Sequence, residues 1–519
     1  GTNNEAEVDQ TGGSEGVANI VQGTPTDEAS NSFVSVTQSE VTPGSPGFSV
    51  PANVANVTQN GDGMGATVTQ SNTDGSSPTN VVNIDQDSTG GALSTSGGYT
   101  QEATVSQSGG GGNLANVDQG RPLGSRGQEI TVTQSGSFNT SNSDQTHSGG
   151  YATVDQTGMD NLSDLDQKEK SQEAFVLQSG DANISDVVQR ARADGGYANV
   201  EQLGSDNYNK IIQGSGGKDS IANVYQNGTG NDSTIFQNDN LGAGLPTMTP
   251  RSEDNTALVD QTGSDHNSVI RQGGTNPGKG MNTASVYQTG ADNDSEVIQG
   301  GNNNLATVYQ DESNQISVID QSGDDNIAIV EEQGEGPGTD GNFSEIVQSG
   351  DGNLADVDQD GGLNESYVAQ IGDGNQAFIM DQDGDGNVSD IDQIGNTNYA
   401  MIDNQSGALN TSTIVQNGDN DSAYVNQSGD SNTSAVTQNS AIGSDYAEVS
   451  QTGSFNDSVI TQDGTGDNRA LVLQASSDNT STIMQDGFDN LADVSQTMTD
   501  GNIANVMQTG MGNVSTVTQ

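Results

Sequence analysis

The residues of this chain that could do chemistry are mostly carboxylates, because histidine is rare and cysteine is absent. The 519 residues include 71 Asp and Glu, two His and no Cys. One acidic group has a recognisable order: Asp381, Asp383 and Asp385 are followed by Gly386 and later by Asp392. This is the spacing of the oxygen ligands in an EF-hand-type calcium loop. These four aspartates are therefore a candidate metal site.

The same segment also fits a second pattern that needs no metal. Asn387, Ser389, Ile391 and Gln393 alternate with other residues, as similar residues do elsewhere in the chain. An EF-hand loop requires flanking helices, whereas alternation predicts a strand. Looser capture of Ca²⁺ by acidic turns therefore stays open, and we expect no other cofactor.

The remaining reactive side chains do not predict catalysis. His147 and His266 lie in or beside predicted turns, where a lone histidine is usually a surface residue. The many serines belong to the repeat, and no Ser-His-Asp or Cys-His arrangement is evident. We expect the protein not to be an enzyme.

The elements that must position these residues are set by a seven-residue phrase, N-x-A/S-x-V/I-x-Q. It first occurs at residues 4–10, last at residues 513–519, and about forty times in all. Because its defining residues recur at every second position, they share one face of a β-strand. Short turns rich in Gly, Asn and Asp separate the strands, since these residues tolerate positive φ. A fixed period of this kind indicates a repeat architecture.

The small central residue of the phrase alternates between Ala and Ser from Ala306 to Ala492. The true repeat therefore contains two strands, and stacked repeats predict an all-β solenoid of about twenty two-strand coils. Its two facing sheets are parallel and in register, in a cross-β, amyloid-like arrangement, with Asn and Gln side chains bonding to their copies in neighbouring coils. The predicted structural ladder includes Asn326, Ala328, Val330, Asn342, Ser344, Ile346, Gln348, Asn353, Ala355, Val357, Gln359, Asn364, Ser366, Val368, Gln370, Asn375, Ala377 and Ile379.

We predict one solenoid domain over residues 1–519. Residues 301–519 are more regular, while residues 1–300 carry longer insertions between strands. The main insertions are Thr24–Asn31, Ser39–Ala52, Asp87–Thr100, Gly120–Gly127 and Asn238–Asp254. Glu331 and Glu332 lengthen one strand by a residue, which predicts a β-bulge.

Composition excludes several classes of protein. Hydrophobic residues make up only 29% of the chain, and the formal net charge is −59. Such values are typical of disorder, but a disordered chain would not keep the alternation. Twelve basic residues against 71 acidic ones disfavour nucleic-acid binding. No apolar run is long enough to cross a membrane.

Several consecutive units resemble the repeat of curli subunits, S-x5-Q-x-G-x-x-N-x-A-x3-Q. The matching units are Gln315-x5-Gln321-x-Gly323-x-x-Asn326-x-Ala328, Asn342-x5-Gln348-x-Gly350-x-x-Asn353-x-Ala355-x3-Gln359 and Asn364-x5-Gln370-x-Gly372-x-x-Asn375-x-Ala377. The opening Ser of the curli repeat is usually Asn here, and the array is longer and more acidic. The resemblance implies a secreted functional amyloid with a nucleator and an outer-membrane secretion apparatus as partners.

The predicted function is a structural subunit that polymerises head to tail into extracellular fibres of a biofilm matrix or an adhesive surface appendage. An exposed strand edge can template the addition of another chain. The predicted polymerisation edges are Asn4, Ala6, Val8 and Gln10 at one end and Asn513, Ser515, Val517 and Gln519 at the other. The alternative is a monomeric β-solenoid that acts as an adhesin or binds ice or cations.

Overall fold

The structure is a computed structural model. It describes residues 3–11, 16–23, 31–40, 53–61, 63–72, 79–87, 101–120, 127–147, 149–190, 194–214, 219–237, 254–273, 280–334, 341–440 and 442–519. The predicted insertions lie largely outside these ranges.

The described residues form 41 β-strands and no helix. No helix that could span a membrane is therefore found in this part of the chain. The chain divides into two compact units, residues 1–264 with 273–280 and residues 265–272 with 281–519. Each unit contains strands of two sheets, one of odd-numbered and one of even-numbered strands.

In the first unit, the odd-strand sheet contains β1 Glu5–Thr11, β3 Phe33–Glu40, β5 Met64–Asn72, β7 Gln101–Ser108, β9 Gln128–Ser137, β11 Tyr151–Met159, β13 Glu173–Asp181, β15 Tyr197–Ser205, β17 Ile221–Thr229 and β19 Thr256–Ser264. The even-strand sheet of this unit contains β2 Val17–Gln22, β4 Val54–Asn60, β6 Val81–Asp87, β8 Leu114–Gln119, β10 Thr140–Gln145, β12 Leu162–Gln167, β14 Ile184–Gln189, β16 Tyr208–Gln213 and β18 Asp232–Gln237.

In the second unit, the odd-strand sheet contains β21 Thr283–Ala291, β23 Leu305–Gln310, β25 Ile327–Gln333, β27 Leu354–Asp358, β29 Gln376–Met380, β31 Tyr399–Ser406, β33 Ser422–Ser428, β35 Tyr446–Thr452, β37 Arg469–Gln474, β39 Leu491–Gln496 and β41 Val514–Thr518. The even-strand sheet of this unit contains β20 Asn267–Gly273, β22 Asp294–Asn302, β24 Ile316–Asp324, β26 Phe343–Ser349, β28 Glu365–Ile371, β30 Val388–Ile394, β32 Thr411–Asn417, β34 Thr433–Ser440, β36 Asp457–Gly466, β38 Thr480–Phe488 and β40 Ile503–Met511.

Within each unit, a strand pairs in parallel with the strand two places further along the chain. Ser366 of β28, for example, lies opposite Ser344 of β26 and Ser389 of β30, so equivalent residues of successive coils are in register. The first unit repeats this arrangement, as in the pairing of β11 with β13. The structure thus confirms the prediction of an all-β solenoid with two facing parallel sheets in a cross-β arrangement.

The Ala and Ser positions of the phrase separate between the two sheets of the second unit. Ala377 and Ala400 pair in the odd-strand sheet, whereas Ser366 and Ser389 pair in the even-strand sheet. The order reverses in the last coil, where Ala504 lies in β40 and pairs with Ser481. Both residues are small, so either one allows the two sheets to approach closely.

The glycine of the recurring Q-x-G sequence is required by the turn that follows each strand. Gly372 has a φ of 113°, and a Cβ added there would lie 2.0 Å from the main-chain oxygen of Gly395 in the next coil. Gly395 makes the same close approach to Gly418. Such φ values are essentially restricted to glycine, and the close approach leaves no room for a side chain. The coils therefore stack at a glycine column.

Candidate functional site: the amide ladders and the edge strands

The glutamine that ends each phrase forms a continuous row of amides, here called the Gln ladder. In the even-strand sheet of the second unit, Nε2 of Gln348 donates to Oε1 of Gln370 at 2.8 Å. Gln370 donates to Gln393, and Gln393 to Gln416, at the same distance. These side chains are fully buried, so the row satisfies amides that would otherwise be costly to bury. Each coil is thereby bonded to the next by side chains as well as by the main chain.

The second amide hydrogen of each glutamine bonds across the solenoid to the other sheet. Nε2 of Gln370 donates to the main-chain oxygen of Leu354 in β27 at 2.9 Å. Gln393 reaches the main-chain oxygen of Gln376 in β29 at 2.9 Å in the same way. The Gln ladder therefore joins successive coils within a sheet and also joins the end of each strand to the start of the preceding strand.

The asparagine that opens the phrase bonds to main-chain groups and, in several coils, also to its copy. Its Oδ1 accepts from the main chain of the next coil: the N–H of Asn375 donates to Oδ1 of Asn353 at 3.0 Å. Its Nδ2 donates to a main-chain oxygen, as Asn375 does to Gly395 at 2.9 Å. The expectation that each asparagine amide bonds to its copy holds for Asn353, whose Nδ2 donates to Oδ1 of Asn326 at 3.1 Å, and is wrong for Asn375.

The structure places all of the predicted ladder residues in the interior of the second unit. Each is at most 2% exposed, and they face inward from β25 to β29 or lie directly before or after these strands. The residues concerned are Asn326, Ala328, Val330, Asn342, Ser344, Ile346, Gln348, Asn353, Ala355, Val357, Gln359, Asn364, Ser366, Val368, Gln370, Asn375, Ala377 and Ile379. The small, branched and amide positions together make a thin core that is shared between the two sheets.

A β-bulge occurs where the glutamine comes three residues after the Val or Ile rather than two. The predicted bulge at Glu331 is present, since the register shifts between β23 and β25 there. The sequence analysis did not identify the consequence of this spacing for serine. Oγ of Ser366 donates to Oε1 of the late Gln382 at 2.7 Å and accepts from Nε2 of Gln359 at 2.9 Å. Ser344, by contrast, has a buried hydroxyl without a hydrogen-bond partner.

Three titratable residues occupy the Asn position of the phrase, and the sequence analysis missed their role. His266 was expected at the surface, but it is 1% exposed, and its Nδ1 accepts from the N–H of Asn293 at 3.4 Å. Asp421 and Asp445 are 0% and 1% exposed. The signal was present, because each of the three precedes Ala or Ser by two residues, as the ladder asparagines do.

Of the four predicted calcium ligands, Asp381 lies close to two other carboxylates that could help to hold a cation. Oxygens of Asp358, Asp360 and Asp381 lie within 4.8 Å of one another. This group includes Asp381 but not Asp383, Asp385 or Asp392, although the chain order suggested those three. Asp392 belongs to β30, and the other three precede that strand. The group of Asp358, Asp360 and Asp381, here called the acidic group, is the arrangement that could contact a cation.

A second set of carboxylates runs along the outer face of the first unit. Asp85, Asp118 and Asp144 lie in register in β6, β8 and β10. Burial, followed by the charges of Asp166 and Asp118, raises the pKa of Asp144 to about 6, while Lys168 acts in the opposite direction. Like charges in successive coils therefore repel one another, and cations in solution should relieve the repulsion.

The predicted polymerisation edges lie on β1 and β41 or directly beside them. Among the described residues, β1 pairs with β3 and β41 pairs with β39. The first edge is exposed at Asn4, Ala6, Val8 and Gln10, and the second is part-buried at Asn513, Ser515, Val517 and Gln519.

The main-chain groups of β41 divide between its two edges. The N–H of Gln519 donates to Ser495, and the oxygen of Asn513 accepts from Leu491, so inward-facing residues bond back to β39. In parallel sheets alternate residues bond to opposite neighbours, so Thr516 directs its N–H away from β39.

The fold and its buried amide rows define a class of protein, a β-solenoid built from repeated coils. The family model of the curlin associated repeat matches residues 350–379 and 407–439. The chain therefore contains curlin repeats, and the resemblance to curli subunits is confirmed in these segments. No curated protein matches the chain.

Proposed function

We propose that this chain is a secreted structural subunit that polymerises head to tail into amyloid-like fibres outside the cell. The observation that carries the proposal is the repeated joint between coils, in which parallel main-chain pairing and the Gln ladder recur in the same register. A second copy placed against an edge strand could reproduce that joint without new chemistry. A structural rather than catalytic role fits the curlin repeats and the solenoid.

The partners follow from the same proposal. The principal partner is another copy of the chain, bound edge to edge. By analogy with curli subunits, a nucleator and an outer-membrane secretion apparatus would serve export and initiation. The fibres would belong to a biofilm matrix or an adhesive appendage of the cell surface.

Removing hydrogen-bond donors from one solenoid edge should block growth at that edge. We expect the double substitution Asn505→Pro and Thr516→Pro to slow elongation about tenfold or more, because both residues face outward on β40 and β41. Inward-facing neighbours make the bonds to β38 and β39, so folding of the subunit should be retained. The measurement is elongation of seeded filaments, followed by light scattering and electron microscopy.

The matched control for that experiment is Asn505→Val with Thr516→Val, which keeps both N–H groups. It should elongate at the rate of the unaltered chain. Proline variants that grow equally fast would exclude edge stacking at this end. Dispersed monomers of the unaltered chain at all concentrations would instead favour the monomeric alternative.

Salt should accelerate polymerisation, because the chain carries a net charge of −59 and like charges meet at every new joint. The Debye length falls from about 30 Å at 0.01 M to about 10 Å at 0.1 M ionic strength, so repulsion between coils is screened over this range. We expect elongation to rise with sodium chloride and to rise further with calcium at matched ionic strength. Growth that slows as salt rises would contradict this electrostatic account.

Loose calcium binding at the acidic group can be separated from general screening by substitution. Replacing Asp358, Asp360 and Asp381 by Asn should reduce the difference in elongation rate between calcium and sodium at matched ionic strength. The control replaces Asp486, Asp489 and Asp500 by Asn. These three residues are exposed, and the change in net charge is the same. An equal loss in both variants would show that calcium acts only through overall charge.

A further inference from the structure

Two buried aspartates interrupt the row of asparagines in the odd-strand sheet of the second unit. Asp421 precedes β33 and Asp445 precedes β35, in the position that Asn398 and Asn468 occupy in the adjacent coils. Asp421 is 0% exposed and Asp445 is 1% exposed. Carboxylates are rarely buried so completely without a basic partner, because removing the charged form from water is costly.

One oxygen of each carboxyl group continues the pattern of the row. Oδ1 of Asp421 accepts from the N–H of Asp445 at 2.9 Å, and Oδ1 of Asp445 accepts from the N–H of Asn468 at 2.9 Å. The N–H of Asp421 in turn donates to Oδ1 of Asn398 at 3.0 Å. The acceptor half of an asparagine amide is therefore fully replaced by Oδ1.

The other oxygen occupies the place of a donor. Nδ2 of Asn398 donates to the main-chain oxygen of Gly418 at 2.7 Å. A Cβ added at Gly418 would lie 2.1 Å from the main-chain oxygen of Ser440 and 2.8 Å from Oδ2 of Asp421, so Oδ2 lies beside the Ser440 oxygen, where Nδ2 of an asparagine would donate. Within the described residues, Oδ2 of Asp421 and Oδ2 of Asp445 are buried and have no hydrogen-bond partner. An ionised carboxylate cannot donate, whereas a protonated carboxyl group has one donor and one acceptor, as an amide does.

The charges around the pair also favour protonation. Asp419 and Asp445 face Asp421, while Asp467 and Asp463 face Asp445, and all of these are acidic. Arg469 of β37 lies on the outer face, over the ring of Tyr446, and does not pair with either carboxyl group.

We propose that Asp421 and Asp445 form a proton-controlled joint in the solenoid. When both carboxyl groups hold protons, they complete the asparagine row and close the joint between β31, β33 and β35. When they ionise, two buried negative charges lie in adjacent coils, and the joint loosens. The joint belongs to the subunit itself and does not depend on polymerisation.

The direction of the pH dependence follows from the pKa of each group. Burial raises the pKa of Asp421 from 3.8 to about 7, and burial also raises the pKa of Asp445. Below pH 4 both the folded and the open states hold the proton, so no penalty arises. Between about pH 4 and pH 7 only the folded state retains the proton of Asp421, so stability falls as pH rises, by up to tenfold in the opening equilibrium per pH unit. The raised pKa of Asp445 acts in the same direction.

Hydrogen exchange of the full-length monomer tests the proposal. Asp421→Asn with Asp445→Asn restores the asparagine row and should remove the pH dependence. The amides of β33 and β35 should exchange faster in the unaltered chain than in the double variant, and the ratio of the two rates should be at least about tenfold larger at pH 8 than at pH 5. Comparing the two proteins at the same pH cancels the intrinsic change in exchange rate.

The control substitution is Asp419→Asn, which removes a facing charge but leaves both buried carboxyl groups in place. This variant should keep most of the pH dependence. In every variant, exchange in β24 and β26 should be unchanged. A rate ratio between unaltered chain and double variant that stays the same from pH 5 to pH 8 would overturn the proposal. A pH dependence lost equally in Asp419→Asn would overturn it as well, since the effect would then come from surface charge.

Discussion

Replacing Gly372 with alanine should open the adjacent coils and cost about 3–5 kcal/mol of local unfolding free energy. The φ of 113° at Gly372 is unfavourable for any residue with a side chain. The new methyl group would also lie 2.0 Å from the oxygen of Gly395. That oxygen accepts from Nδ2 of Asn375 at 2.9 Å, so displacing it would break a bond of the asparagine row. Hydrogen exchange in β28 and β30 measures the opening directly.

The matched control is Gly374→Ala, two residues further in the same turn. Gly374 has a φ of 68°, and an added Cβ would meet nothing within 4 Å. The equivalent position holds Asp325 and Leu409 at similar φ in other coils, so the fold tolerates side chains there. We expect a cost of about 1 kcal/mol for this variant. Equal costs for the two alanine variants would show that stacking at the glycine column does not limit the approach of the coils.

Replacing Gln370 with leucine should cost about 2–4 kcal/mol locally. The change removes a donor to Gln393 and an acceptor for Gln348, each at 2.8 Å, in a fully buried row. It also removes the bond to the main-chain oxygen of Leu354. The apolar contact that leucine gains does not compensate for buried polar groups left without partners. Protection against hydrogen exchange in β26, β28 and β30 should fall together.

Gln376→Leu provides the same chemical change at an exposed position in the neighbouring strand. The Gln376 side chain faces outward from β29, and only its main-chain oxygen takes part in the Gln ladder, as the acceptor from Gln393. We expect an effect within about 0.5 kcal/mol. If the two leucine variants lose equal protection, the side-chain row does not stabilise the stack, and main-chain pairing alone holds the coils together.

The titratable residues that replace asparagine in the asparagine row could have been found from the sequence but were not. Asp421, Asp445 and His266 each open a phrase that is otherwise intact, so their burial follows from the register. His266 was expected at the surface because histidines in turns are usually exposed. The repeat overrides that tendency, since the residue that opens the phrase faces the interior in the coils between the two ends.

The strands, their inward faces, the parallel in-register stacking and the positive φ in the turns could all be predicted from the order of residues. All of these depend on a period of two within each strand and on a longer period between strands, and both periods are visible in the order of residues. The atoms that satisfy the buried amides could be identified only from the folded coils. Asn375 bonds to main-chain groups, whereas Gln370 bonds to its neighbours in the row and to the opposite sheet. The sequence pattern marks both side chains as buried amides, but their partners depend on where the next coil places its carbonyl groups.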